Sequence, residues 1–152
     1  MNSIRCLLIM LTCIYSNTFA SQTLSSLEQL EWKNRIILIN SKNQCDSVSR
    51  QLIEKEYQIK DRDIAWFIVC KANKKQVISN YKGEIKPQLL TQINKQYFSN
   101  SKSKVILIGK DGGLKYRSEN LNLKEINLEI DSMPMRIEEM RSKKKRHNNG
   151  AF

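Results

Sequence analysis

Short apolar runs organise the chain, and none is long enough for a helix. "RIILIN" and "DIAWFIVC" are continuous and rich in β-branched side chains, the pattern of strands buried on both faces of a sheet, and "KVILIG" reads as a further strand. Between the first two the period changes. Val48, Leu52 and Ile53 recur at helical spacing through "DSVSRQLIEKEY", with Asn43 and Asp46 placed as a helix start. Strand, helix, strand over about 30 residues is a βαβ unit, which predicts a parallel core pair joined by a crossover. The charged passage "KANKKQVISNYKGEIKP" reads as loop, and Pro87 then opens a helix over "QLLTQINKQYF", because a proline at the first helical position gives up no needed hydrogen bond.

The stretch "LIGKDGGLKYRS" sets a glycine pair beside a lysine. A phosphate loop needs its lysine after the glycines and a helix behind them. Here the lysine comes first and an alternating strand, "GLKYRS", follows, so Asp111-Gly112 is predicted to be the turn of an antiparallel hairpin. A last helix is predicted from Asn122, with Glu125 placed for a capping box and Leu123, Ile126, Ile130, Met133, Ile137 and Met140 forming one apolar stripe. Pro134 should kink or break it near "SMPM". Met133, Met135 and Met140 read as core filler. Beyond Arg141 no core position occurs before Phe152, so residues 142–152 are expected to form a disordered basic tail.

The amino-terminal residues fit a different purpose. Arg5, the apolar "CLLIMLTCIY" and the small residues Thr18 and Ala20 form a signal-peptide pattern, which places cleavage after Ala20 and predicts an exported protein, periplasmic or secreted. The expected organisation is then a signal peptide over 1–20, a polar lead over 21–26, one domain over 27–141, and the tail. Loss of residues 1–20 lowers Lys+Arg from 26 to 25 against 15 Asp+Glu, leaving +10. Arg141, Lys143, Lys144, Lys145 and Arg146 concentrate much of that charge at the end of the chain. Cys6 and Cys13 leave with the signal, so Cys45 and Cys70 are the cysteines of the exported chain.

Candidate chemistry is sparse. The chain has 1 histidine, His147, which lies in the basic tail, so Ser-His and Cys-His catalysis and His-rich metal sites have no foundation. No metal or cofactor is expected. Asp61, Asp63, Asp111, Glu125 and Asp131 stand at turns and helix starts, where capping accounts for acids. Lys110, Asp111, Lys115, Arg117, Asp131 and Arg136 form the sharper constellation: hairpin residues, the polar face of the following strand, and residues flanking Pro134. They fit either an anion or partner site or an ion-pair network, with Asp131 and Arg136 locking the last helix to the hairpin. The tail, through Lys143, Lys144, Lys145 and Arg146, suits peripheral contact with an anionic surface. Without interleaved aromatics, specific nucleic-acid binding is not expected.

The order β-α-β-α-β-β-α, a parallel pair followed by an antiparallel hairpin and a closing helix, is the thioredoxin-like order. The segments "WKNR", "RD", "LIGKDGGLKYRS" and "IDSMPMRIEEMR" resemble an uncharacterised exported family, a domain of unknown function with a thioredoxin- or peroxiredoxin-like fold, and a similar domain occurs in animal sushi-repeat extracellular proteins. The resemblance spans about Leu27 to Arg141 and implies an α/β fold with a mixed sheet, together with export, but no reaction. The chain departs from thioredoxin-like enzymes. "NQCDSV" has Val48 where the second cysteine of a C-x-x-C would stand, Lys42 replaces the threonine of a peroxiredoxin site, and the usual proline is missing from "SNSKSKVILIG".

Cys45 should open the helix after the first strand, and Cys70 should end the second strand, which puts both at the carboxyl edge of the sheet. A disulfide, a reactive Cys45 thiolate aided by Lys42, and two free half-buried thiols all remain open. The expected function is a binding or structural module with an unidentified protein or anionic surface as partner. The alternative is a thiol-dependent oxidoreductase using Cys45, with Cys70.

Overall fold

The computed structural model describes residues 22–41, 43–70, 76–99 and 102–149. The signal-peptide region, Lys42 and Phe152 lie outside the described residues. Strand β1 (Thr23–Leu24) and a 3-10 turn (Leu27–Leu30) lead into β2 (Arg35–Ser41). Helices α1 (Cys45–Glu54) and α2 (Glu56–Asp61) follow, meeting at Lys55, and then β3 (Ile64–Cys70). β4 (Gln76–Ser79) and β5 (Glu84–Ile85) precede α3 (Pro87–Ile93), which runs into a π-helical turn, Asn94–Phe98. The chain continues through β6 (Val105–Ile108), β7 (Leu114–Ser118), α4 (Leu123–Ser132) and α5 (Pro134–Asn149).

The main sheet has the order β4-β3-β2-β6-β7. β2 and β3 are parallel in continuous register from Arg35↔Ile64 to Ser41↔Cys70, as the βαβ reading requires. β6 runs antiparallel to β2, and β7 antiparallel to β6. Successive residues of a strand face opposite sides, so the unbroken apolar runs supply two cores at once. Ile36, Leu38, Phe67, Val69 and Ile106 pack beneath Leu24, Leu27, Leu89, Ile93 and Phe98. On the other face, Ile37, Ile39, Trp66, Ile68 and Leu107 meet Leu52, Ile59, Ile126 and Ile130. The result is a helix-sheet-helix sandwich, a mixed α/β architecture compatible with the thioredoxin-like order.

Several boundaries differ from the sequence reading. The passage "KANKKQVISNYKGEIKP", which reads as loop, contains β4 and β5; their few apolar residues, Val77, Ile78 and Ile85, are too short a signal to register alone. The polar lead is likewise structured. Leu24 is 1% exposed, and β1 pairs in parallel with β5. Helix α1 has Gln44, not Asn43, at its N-cap, without a side-chain cap bond.

The other predicted turns and breaks are present. Asn122 caps α4 by accepting from the amides of Lys124 and Glu125. Met133 leaves the helix at φ −70, ψ 137, and Pro134 opens the next one, so the break is complete. Helix α5 then continues to Asn149, through residues expected to be disordered. The hairpin turn closes through Gly109 N to Gly113 O at 2.8 Å and Gly112 N to Gly109 O at 3.1 Å, with Gly112 at φ +73, a conformation that only glycine adopts without penalty.

Candidate functional site

At one end of the sheet β2 and β3 begin and the β6–β7 hairpin turns, and the charged sequence segments converge there. The backbone makes the first links: Trp32 N donates to Lys110 O at 2.7 Å, and Arg35 N donates to Asp63 O at 2.9 Å. Trp32 and Asp63 both adopt positive φ, 60° and 51°. For a tryptophan that is 67% exposed this is a strained conformation, held by the turn around it.

Side chains then knit the end together. Arg35 is 1% exposed and forms a two-pronged pair with Glu139, both contacts at 3.2 Å. Lys110 bridges Glu139 and Asp63, each at 2.8 Å. Arg62 holds Asp131 through two bonds, of 3.0 and 2.6 Å. Arg136, 2% exposed, reaches Asp131 at 3.2 Å, the Asp61 backbone oxygen at 2.7 Å and the Asp61 carboxylate. Lys143 completes the shell of Asp61 at 2.9 Å. Planar guanidinium forks suit such paired carboxylates better than point-charge ammoniums do.

The electrostatics follow. Asp61 is held below the ordinary carboxylate range by the Lys143 hydrogen bond, against the opposing effect of burial, with Arg136 adding to it. Burial pushes Asp131 and Glu139 up. It is outweighed by Arg62 and Arg136 at the first, and by Lys110 and Arg35 at the second, so both carboxyls also stay low. Each acid is ionised and occupied.

This arrangement corrects one expectation in detail. Asp131 and Arg136 do not touch the hairpin; they clamp the turn between α2 and β3. The hairpin is fastened through Lys110, to Glu139 of α5. Asp111 serves the turn itself, accepting from Gly113 N at 3.1 Å and pairing with Lys115 at 2.7 Å. Arg117 lies on β7, opposite Ile106 of β6. Of the three methionines at helical spacing, Met133 packs against the core, whereas Met135 and Met140 are exposed because the break at Pro134 turns α5 away from the stripe. Sequence reasoning missed Arg35, Arg62 and Glu139. The available signal was Arg35 at the head of the apolar run "IILI", a place where a charge must find a partner.

At the opposite end, Cys45 and Cys70 are joined by a disulfide, with Cα atoms 6.1 Å apart. Cys45 is half-buried on the first turn of α1, and Cys70 is 5% exposed at the end of β3. Lys42, invoked as an activator of Cys45, lies outside the described residues. Beside Cys70 opens a groove of about 1170 Å³, lined by Val69, Val77, Ile85, Pro87, Leu90 and Phe98, with Thr91, Asn94, Lys95 and Ser99 along the helical side. A smaller cavity of about 580 Å³ shares Phe98 with it and reaches Asn43, Gln44, Lys102 and Lys104. Ligands of open α/β sheets bind at the carboxyl ends of the parallel strands, and this is that edge. No group of His, Cys, Asp and Glu able to hold a metal occurs among the described residues. His147 is exposed near the end of α5.

A parallel core pair flanked by antiparallel strands, with helices on both faces, puts the protein in the class of small mixed-sheet α/β domains. Within that class the chain belongs to the family described as a domain of unknown function, DUF4174, whose family model matches residues 26–139. No curated protein and no solved structure matches the chain.

Proposed function

We propose that this is an exported, thioredoxin-like binding module that receives its ligand in the groove beside Cys70, with the Cys45–Cys70 bond acting as a staple. The groove carries the reading: it is the largest cavity described, it is mainly apolar, and it lies where open α/β sheets take ligands. The disulfide fastens the start of α1 to the end of β3, which fixes one wall of the groove. The charged residues at the other end favour the structural reading, since Arg35, Arg62, Lys110 and Arg136 are all committed to internal carboxylates.

A second reading has an observation of its own. Cys45 stands on the first turn of a helix, where the N-terminal amides favour a thiolate, and its partner is buried, the layout of an exchanging pair. Asp46 beside it opposes that charge. The deciding experiment measures thiols in the unreduced protein and its effect on insulin reduction by dithiothreitol. A binding module shows no free thiol and no acceleration. Acceleration that disappears in Cys45→Ser would establish the oxidoreductase instead.

A further inference from the structure

The groove has a chemical asymmetry. Its floor is aliphatic and aromatic: Val77, Ile85 and Leu90 are only half-buried against the core, and Phe98 closes the end. Its charge is of one sign. Lys95 is the charged side chain of the lining, and no carboxylate faces it there. Lys95 is exposed and makes no ion pair among the described residues, in contrast to Lys110, Lys115 and Lys143, each of which is bonded to an acid.

The backbone that carries this lysine is unusual as well. Asn94, Lys95 and Phe98 all belong to the π-helical turn that ends α3. Such turns are rare, arise in short pieces, and cluster at functional sites, because the wider turn re-aims side chains that a regular α-helix would direct elsewhere. Here one turn supplies the apolar stop, Phe98, and the cation, Lys95. Asn94 and Ser99 already bond within the helix, through Asn94 Nδ2 to Leu90 O at 2.9 Å and Ser99 Oγ to Lys95 O at 2.7 Å. Lys95 is therefore the uncommitted charged donor at the rim.

We infer that the groove binds a single-chain anionic amphiphile, a free long-chain carboxylate, with its alkyl chain on Val77, Ile85, Leu90 and Phe98 and its head on Lys95. This rests on the binding-module reading and specifies its ligand. An apolar trough gains by covering surface left half-exposed, and each CH2 group removed from water adds to that gain. A lone cation at the rim selects the sign of the head group, and it does so without a buried ion pair, whose desolvation offsets its attraction. A cationic head would meet Lys95 with like charge. A neutral head would gain only the chain contacts.

The test compares decanoate, decanol and decyltrimethylammonium by calorimetry and by amide shifts in 1H–15N NMR spectra of the full chain. Decanoate is expected to bind about threefold more tightly than decanol, the range of an exposed ion pair, with shifts centred on Val77, Leu90 and the Asn94–Phe98 turn. Lys95→Glu, a change at an exposed position that leaves folding intact, should weaken decanoate by about threefold or more, leave decanol unchanged and improve the ammonium probe. Equal binding of decanoate and decanol in the groove, both indifferent to Lys95→Glu, would overturn the anionic ligand while leaving the groove as the binding site. Decanoate shifts confined to the lysines of α5 also overturn it. If none of the three probes perturbs the groove, the binding-module reading fails with it.

Discussion

Replacing Arg136 with alanine tests the ionic clamp where it is most constrained. The side chain is 3% exposed and touches Asp61 and Asp131 by hydrogen bonds and Glu139 at 3.7 Å. Hydrogen bonds to charged groups contribute about 1.5–3 kcal/mol each, and breaking a buried pair from one side typically costs about 3–5 kcal/mol because the other charge is stranded. Here stranding is incomplete. Asp61 keeps Lys143, Asp131 keeps Arg62, and Glu139 keeps Arg35 and Lys110. The expected loss is therefore about 2–3 kcal/mol, below the full range, seen in urea unfolding as a lower midpoint with an unchanged slope. Arg136→Lys should recover only part of it, since one ammonium cannot reproduce the fork. Lys115→Ala is the internal control: its bond to Asp111 spans four residues on the surface and should cost no more than about 0.5 kcal/mol. Equal, small effects from Arg136→Ala and Lys115→Ala would refute the argument that burial and shared partners set the strength of the clamp.

Three further outcomes follow from the same geometry. Asp61, Asp131 and Glu139 have lowered folded-state pKa values, so their contribution is complete above the ordinary carboxylate range near 4 and is lost as pH falls below it; acid titration monitored by circular dichroism should show stability falling in that window, and a flat profile down to about pH 2 would contradict the network. Reducing Cys45–Cys70, or substituting both with serine, opens a loop of 25 residues and should cost about 3.5 kcal/mol in the chain-entropy model, measured as a shift in denaturation midpoint; no shift would show that the staple is dispensable. Deleting residues 142–152 removes the half-exposed Lys143–Asp61 contact and should lower stability by less than about 1 kcal/mol while reducing salt-sensitive adsorption to anionic vesicles; equal adsorption of the truncated and full-length chains at low salt would rule out the surface-tether role.

The sequence by itself determined the elements whose cause is local. "RIILIN" and "DIAWFIVC" are apolar at every step, so they had to be strands with both faces covered, and their spacing around one amphipathic helix called for a parallel pair. Asp111-Gly112, Asn122 and Pro134 act through their own backbone conformations, which is why the hairpin, the α4 cap and the helix break were all legible. What tertiary structure alone decided is partnership. Charge attraction has no sequence period, so nothing in "KDGG" or "IDSMPMR" tells that Lys110 chooses Glu139 while Arg136 chooses Asp61, 75 residues away. β4 and β5 exist because β3 and β1 offer them hydrogen-bonding edges, not because their short sequences prefer to be extended. Helix α5 outlasts its apolar stripe in the same way, its Lys143 anchored on Asp61. The groove, assembled from β3, β4, β5 and α3, is a product of packing: each wall is an ordinary apolar residue until the fold leaves the space between them uncovered.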